Sequence, residues 1–221
     1  MDSSLYEALK DIFLHGAVGL REPRFRQLPF RVDLAKLETN PIVRKHVFKL
    51  LSDRIDPRAY DAVTSSTDDC RALAAIYADR CGLPFVLPIE VTSSSKAPIL
   101  LYGDVPVNSR LVMVNAYSMP TAANNMANNS FVHVLNLMRA KGFSVAKIVS
   151  VFDADREHVF RRYLATLSGD PVSYEAIFEM GDVLRMLKSA PDDFNLEGAK
   201  IDAAIEHYDR NATIAPPSST Q

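Results

Sequence analysis

The chain reads as an α/β domain: a mainly parallel sheet of five strands with helices on both faces. Three observations predict it. From residue 59 onward, short apolar runs alternate with helical stretches. One run, Leu111-Val112-Met113-Val114, is apolar without a break, as a strand covered on both faces should be. Gly82 and Gly142 stop helices shortly before new apolar runs begin.

Each element follows in turn. Leu5, Leu9, Ile12 and Phe13 recur at helical spacing and predict an amphipathic helix over residues 4–16, closed by Gly16 and Gly19. Pro23 and Pro29 forbid helix over 21–29 and favour an extended arm or edge strand. Residues 30–34 alternate apolar and polar as a short strand would. Asn40-Pro41 opens a helix running to about residue 53, with Val43, Val47, Leu50 and Leu51 as its buried stripe. Strands are predicted at 59–64, 84–89, 99–101, 111–114, 145–152 and 173–178. Between them lie a helix started by Thr67-Asp68-Asp69, with Leu73, Ile76 and Tyr77 facing inward, and helices over 127–140 and 157–166. Helices over 181–189 and 195–208 complete one domain, residues 1–211, and 212–221 form a polar tail.

Composition bounds the function classes. With 48% hydrophobic and 24% charged residues over 221 positions, the chain is globular, and it has no disulfide scaffold because Cys70 and Cys81 are its only cysteines. The net charge of -2 offers no global attraction to nucleic acid. No apolar run reaches the ~20 residues of a membrane span. Asp2, Glu7 and Asp11 fit no leader peptide, so a cytoplasmic location is expected, with an organellar one as the alternative.

Other motifs carry bland readings. The five histidines fall on different elements, and His133 lies on an apolar helical face, as a core histidine does. Ser65 and Ser66 lack the flanking glycines of a nucleophile elbow. Asn124, Asn125, Asn128 and Asn129 either hydrogen-bond a ligand or cap a helix. Arg21, Arg24, Arg26 and Arg31 make one local basic patch, a weak signal for an acidic partner or RNA.

Several strings taken in order resemble the orotate phosphoribosyltransferases, of the type I phosphoribosyltransferase fold. They are Leu5-Tyr6-Glu7-Ala8-Leu9, Pro29-Phe30-Arg31-Val32-Asp33-Leu34, Gly82-Leu83-Pro84, Val149-Ser150-Val151-Phe152-Asp153 with Arg156-Glu157, and Ala176-Ile177-Phe178. The resemblance spans residues 5–208 and implies a Rossmann-like sheet with a small amino-terminal hood. In that family two adjacent acids after an apolar strand hold the ribose hydroxyls of phosphoribosyl pyrophosphate, and a glycine-bearing loop closes on its 5′-phosphate. Here the apolar strand is followed by Asn115 and Ala116, and no glycine occurs between Gly103 and Gly142. The matching pyrophosphate loop, 64–69, ends in Asp68 and Asp69, and the mobile hood, 90–97, keeps only Lys96.

The expectation is therefore a degenerate member: catalytically inactive, without cofactor, serving as a structural or interaction subunit. The alternative is an active or remodelled orotate phosphoribosyltransferase of pyrimidine biosynthesis, using magnesium and phosphoribosyl pyrophosphate. Vestigial ligand-loop candidates are Asn115, Ser118, Thr121, Asn124, Lys96 and Arg156, the last matching an orotate-contacting arginine or simply solvated beside the helix caps Asp153 and Asp155. The resemblance also implies a homodimer or a place in a larger assembly, with Phe25, Pro29 and Phe30 as interface candidates on an exposed arm.

Overall fold

The computed structural model describes residues 3–22, 28–66, 70–90, 99–118, 129–156, 158–167 and 169–211. Helix α1 (Ser3–Leu14) buries Ala8, Leu9, Ile12 and Phe13, the face its spacing predicts. The chain then forms β1 (Val18–Leu20), which pairs antiparallel with β2 (Phe30–Val32) to make the amino-terminal hood. Asp33 caps the short α2 (Leu34–Thr39) by accepting from the Lys36 N–H. Asn40 caps α3 (Pro41–Arg54) through the Ile42 and Val43 amides, with Pro41 at the first helical position.

The central sheet begins with β3 (Ala62–Thr64), preceded by a 3-10 turn at Pro57–Ala59 that shortens the expected strand. Helix α4 (Arg71–Cys81) follows and ends on Gly82, whose φ of 67° is the left-handed cap glycine tolerates best. The cap expected from Thr67, Asp68 and Asp69 lies outside the described residues. The predicted strand 84–89 divides in two. Phe85 bridges Val63 in parallel, with Val63 N–H donating to Pro84 O and Val86 N–H to Val63 O, each at 2.9 Å. Beyond it β4 (Leu87–Glu90) turns away to pair antiparallel with β5 (Ile99–Tyr102). The return from this ribbon requires Gly103, at φ 97°, because a Cβ there would stand 2.2 Å from the Phe85 carbonyl oxygen.

The remaining elements are β6 (Arg110–Ser118), α5 (Ser130–Ala140), β7 (Ser144–Asp153), α6 (Val159–Leu164), β8 (Ser173–Glu179), α7 (Met180–Ser189) and α8 (Gly198–Asn211). The sheet order is β3-β6-β7-β8, every pair parallel. The bridge at Phe85 fills the fifth position, on the far side of β3. Alternation sorts the strands' side chains: Val63, Val112, Val114, Val149 and Val151 meet α1, α3, α4, α7 and α8. Leu111, Met113, Val145 and Ile148 meet α5 and α6 instead. Among the described residues no helix is long and apolar enough to cross a membrane.

The arm needs correction. Phe25 lies outside the described residues, but Pro29 is buried and Phe30 is 2% exposed. The Phe30 ring meets Tyr117 at 6.3 Å and Tyr208 at 6.2 Å, so the hood is fastened to β6 and α8 by the ring expected on its surface. Truncating a buried phenylalanine typically costs about 3–5 kcal/mol. Phe30→Ala should lower the urea midpoint accordingly, without a change in self-association. A variant as stable as the parent would return the ring to an interface.

Candidate functional site

Open α/β sheets bind ligands beyond the carboxyl ends of their strands. Here those ends carry a buried polar layer: Thr64, Ser65 and Ser66 leaving β3, Asn115 and Ser118 on β6, and Ser150 and Asp153 on β7. The register sets Asn115 beside Ser150 and Ser118 beside Asp153. Asn115 is fully buried, and its Oδ1 accepts the Ser66 N–H at 2.9 Å. Among the described residues its Nδ2 has no hydrogen-bond partner, and neither has Thr64 Oγ1. Ala116 turns to the opposite, apolar face, where its N–H donates to Cys70 Sγ at 3.4 Å.

Asp153 is the one carboxylate at the end of β7 itself. Its Oδ1 accepts the Asp155 N–H at 2.8 Å, and Asp155 in turn accepts the Phe160 N–H at 2.8 Å to hold the start of α6. Asp155 thus does the capping work read from its spacing, whereas Asp153 closes the turn ahead of the helix and caps no helical amide among the described residues. Burial pushes the Asp153 carboxyl up to about 6; the Asp155 N–H opposes that shift, and the charges of Asp155 and Glu179 add to it. The Tyr174 phenol, itself raised by burial, faces Asp153, Ser118 and Ser150. Yet among the described residues the buried oxygens of Ser118, Ser150 and Tyr174 have no hydrogen bond of normal geometry. Such orphaned oxygens are costly in an interior and rare there.

The predicted site residues divide. Asn115 and Ser118 meet in this layer. Arg156 does not: it is exposed and reaches α8, donating to the Asp209 carbonyl at 3.0 Å and pairing with the Asp209 carboxylate at 3.1 Å. Thr121, Asn124 and Lys96 lie outside the described residues. His133 is exposed on α5, against the core placement its neighbours suggested. Among the described residues no cluster of His, Cys, Asp and Glu could hold a metal ion. Sequence reading missed the grouping of Asp153, Ser150 and Tyr174; its one signal was Ser150 inside the otherwise apolar stretch 148–152 of β7.

No family model matches the chain, and no curated protein matches it. Solved structures do. UMP synthase of Leishmania donovani superposes with a TM-score of 0.67 at 14% identity, over 92% of this chain. The chain spans only 41% of that protein's length. Orotate phosphoribosyltransferase of Aeropyrum pernix gives a TM-score of 0.63 at 18% identity, covering 82% of this chain and 98% of its own. Adenine phosphoribosyltransferase of Thermoanaerobacter pseudethanolicus gives 0.51 at 13%, covering 76% and 98%. At these identities the likeness establishes a phosphoribosyltransferase-like fold and nothing of activity.

The raised Asp153 carboxyl has a signed consequence for stability. Unfolded, the group loses its proton near 3.8; folded, it holds it to about 6. Between those values the unfolded chain ionises first, so stability falls as pH rises through the window and stays lower above it. The whole step is roughly 2–3 kcal/mol. Asp153→Asn should flatten the difference in urea midpoint between pH 4.5 and 7.5. An unchanged slope would place the carboxylate in contact with water.

Proposed function

We propose that this chain is a catalytically inactive orotate phosphoribosyltransferase-like protein that serves as a structural or interaction subunit. The observation that carries the reading is the state of residues 115 and 116. The resemblance puts two ribose-binding acids there; this chain has an amide, fully buried and bound to the Ser66 N–H, and a methyl group in the apolar core. Neither group bears charge and neither faces solvent. Transfer of a phosphoribosyl group passes through a state with positive charge on the ribose, and its rate depends on groups preorganised around ribose and departing pyrophosphate. Arg156, engaged with Asp209, supports the same reading.

A second reading, a remodelled cleft that still holds a small polar ligand or runs the orotate reaction, draws on the orphaned oxygens of Ser118, Ser150 and Tyr174.

A titration separates the two. A ligand at a hundred times its dissociation constant stabilises by ~2.7 kcal/mol, about 5–10 °C in a chain of this size. Phosphoribosyl pyrophosphate with magnesium, with or without orotate, should give no magnesium-dependent rise in melting temperature. A rise of several degrees that needs the metal would establish the second reading instead.

A further inference from the structure

Away from the sheet's carboxyl edge, α1, α3 and α4 enclose a groove of about 430 Å³, within the size range of small-molecule sites. Ala8 and Leu50 contribute apolar surface, and Ser4, Glu7, Lys45, His46, Lys49 and Arg80 contribute polar groups. The charges are unbalanced. Lys45, Lys49 and Arg80 form no salt bridge among the described residues, and Glu7 is the single acid on the wall. Lys45 and Lys49 are also four residues apart on one face of α3, a like-charge spacing that weakens a helix.

Two contacts orient the arginine and the histidine of the wall. The Arg80 guanidinium lies over the Phe48 ring at 5.7 Å, a cation–π contact that orients its planar fork. His46 Nε2 meets the Asp11 carboxylate at 2.7 Å, which fixes the imidazole on the wall. Two lysines and one oriented guanidinium line a single cavity. That arrangement suits a compact, multiply charged anion better than an extended polymer.

We propose that this groove binds the polyphosphate moiety of a soluble small molecule. The site is independent of the reading above. Helix α4 starts near the carboxyl end of β3 and runs back along the sheet, so Arg80, in its last turn, lies at the opposite edge from Asn115.

The test uses the full chain, inorganic tripolyphosphate as probe, and low salt. The parent should gain several degrees in melting temperature, and 0.5 M salt should remove most of that gain, as screening at ~0.5 M requires. Lys45→Ala with Lys49→Ala, both exposed, should leave the unliganded melting temperature unchanged or slightly raised, since a like-charge pair is removed from α3, and weaken binding at least about tenfold. Lys141→Ala, on the α5 side, should bind like the parent. Adenosine triphosphate binding equally would mean that the phosphate chain alone is read; tighter binding would add the groove's apolar floor. No stabilisation of the parent, unweakened binding by the double variant, or binding of an RNA oligomer but not of tripolyphosphate would each overturn the proposal. The double variant also guards the titration of the cleft, since a shift with phosphoribosyl pyrophosphate that vanishes in it belongs to this groove.

Discussion

A neutral amide at position 115 ties the exit of β3 to the centre of the sheet. Asn115 Oδ1 accepts the Ser66 N–H at 2.9 Å in a fully buried setting. The bond joins residues 49 apart in sequence and fixes the backbone at Ser66, just beyond β3. A buried backbone N–H without a partner would cost about 1–3 kcal/mol. A carboxylate there could accept the same bond, but burying its charge would be costly without a paired cation. The same atom that organises the strand ends is therefore unavailable, as an ionised acid, for gripping a ligand.

The polar layer around that bond extends the constraint. Parallel strands present their last residues together, so serines and an aspartate on β6 and β7 become neighbours although dozens of residues separate them. Burial favours the protonated form of Asp153, and the two acids Asp153 and Asp155 serve the chain's own turn into α6. Arg156 leaves that turn for Asp209 on α8. Groups that look reactive in a string of letters are used here to close the backbone.

Most of the architecture was legible in the sequence because periodicity and caps are local. The stripe Val43, Val47, Leu50 and Leu51, the cap Asn40-Pro41 and the stop at Gly82 all appear where the letters put them. The failures involve tertiary contacts. Nothing local to Phe30 announces that Tyr117 and Tyr208 will cover it, so its aromatic surface read as an interface. Residues 84–89 read as one strand because the letters do not show where pairing with β3 ends and pairing with β5 begins. β1 and α2 are too short for periodicity to resolve. At the site, the replacement of the expected acids was visible at once, while the inward use of Asn115 required the fold.

Hydrogen exchange at the Ser66 amide tests this account most directly. If Asn115 holds that N–H as a permanent structural bond, the amide exchanges slowly in the free protein, with core-like protection. Saturating magnesium and phosphoribosyl pyrophosphate then leave its rate unchanged. A Ser66 amide that exchanges like an open loop, and slows when the ligand is added, would mean that the strand ends are organised by substrate rather than by Asn115, and would contradict the account.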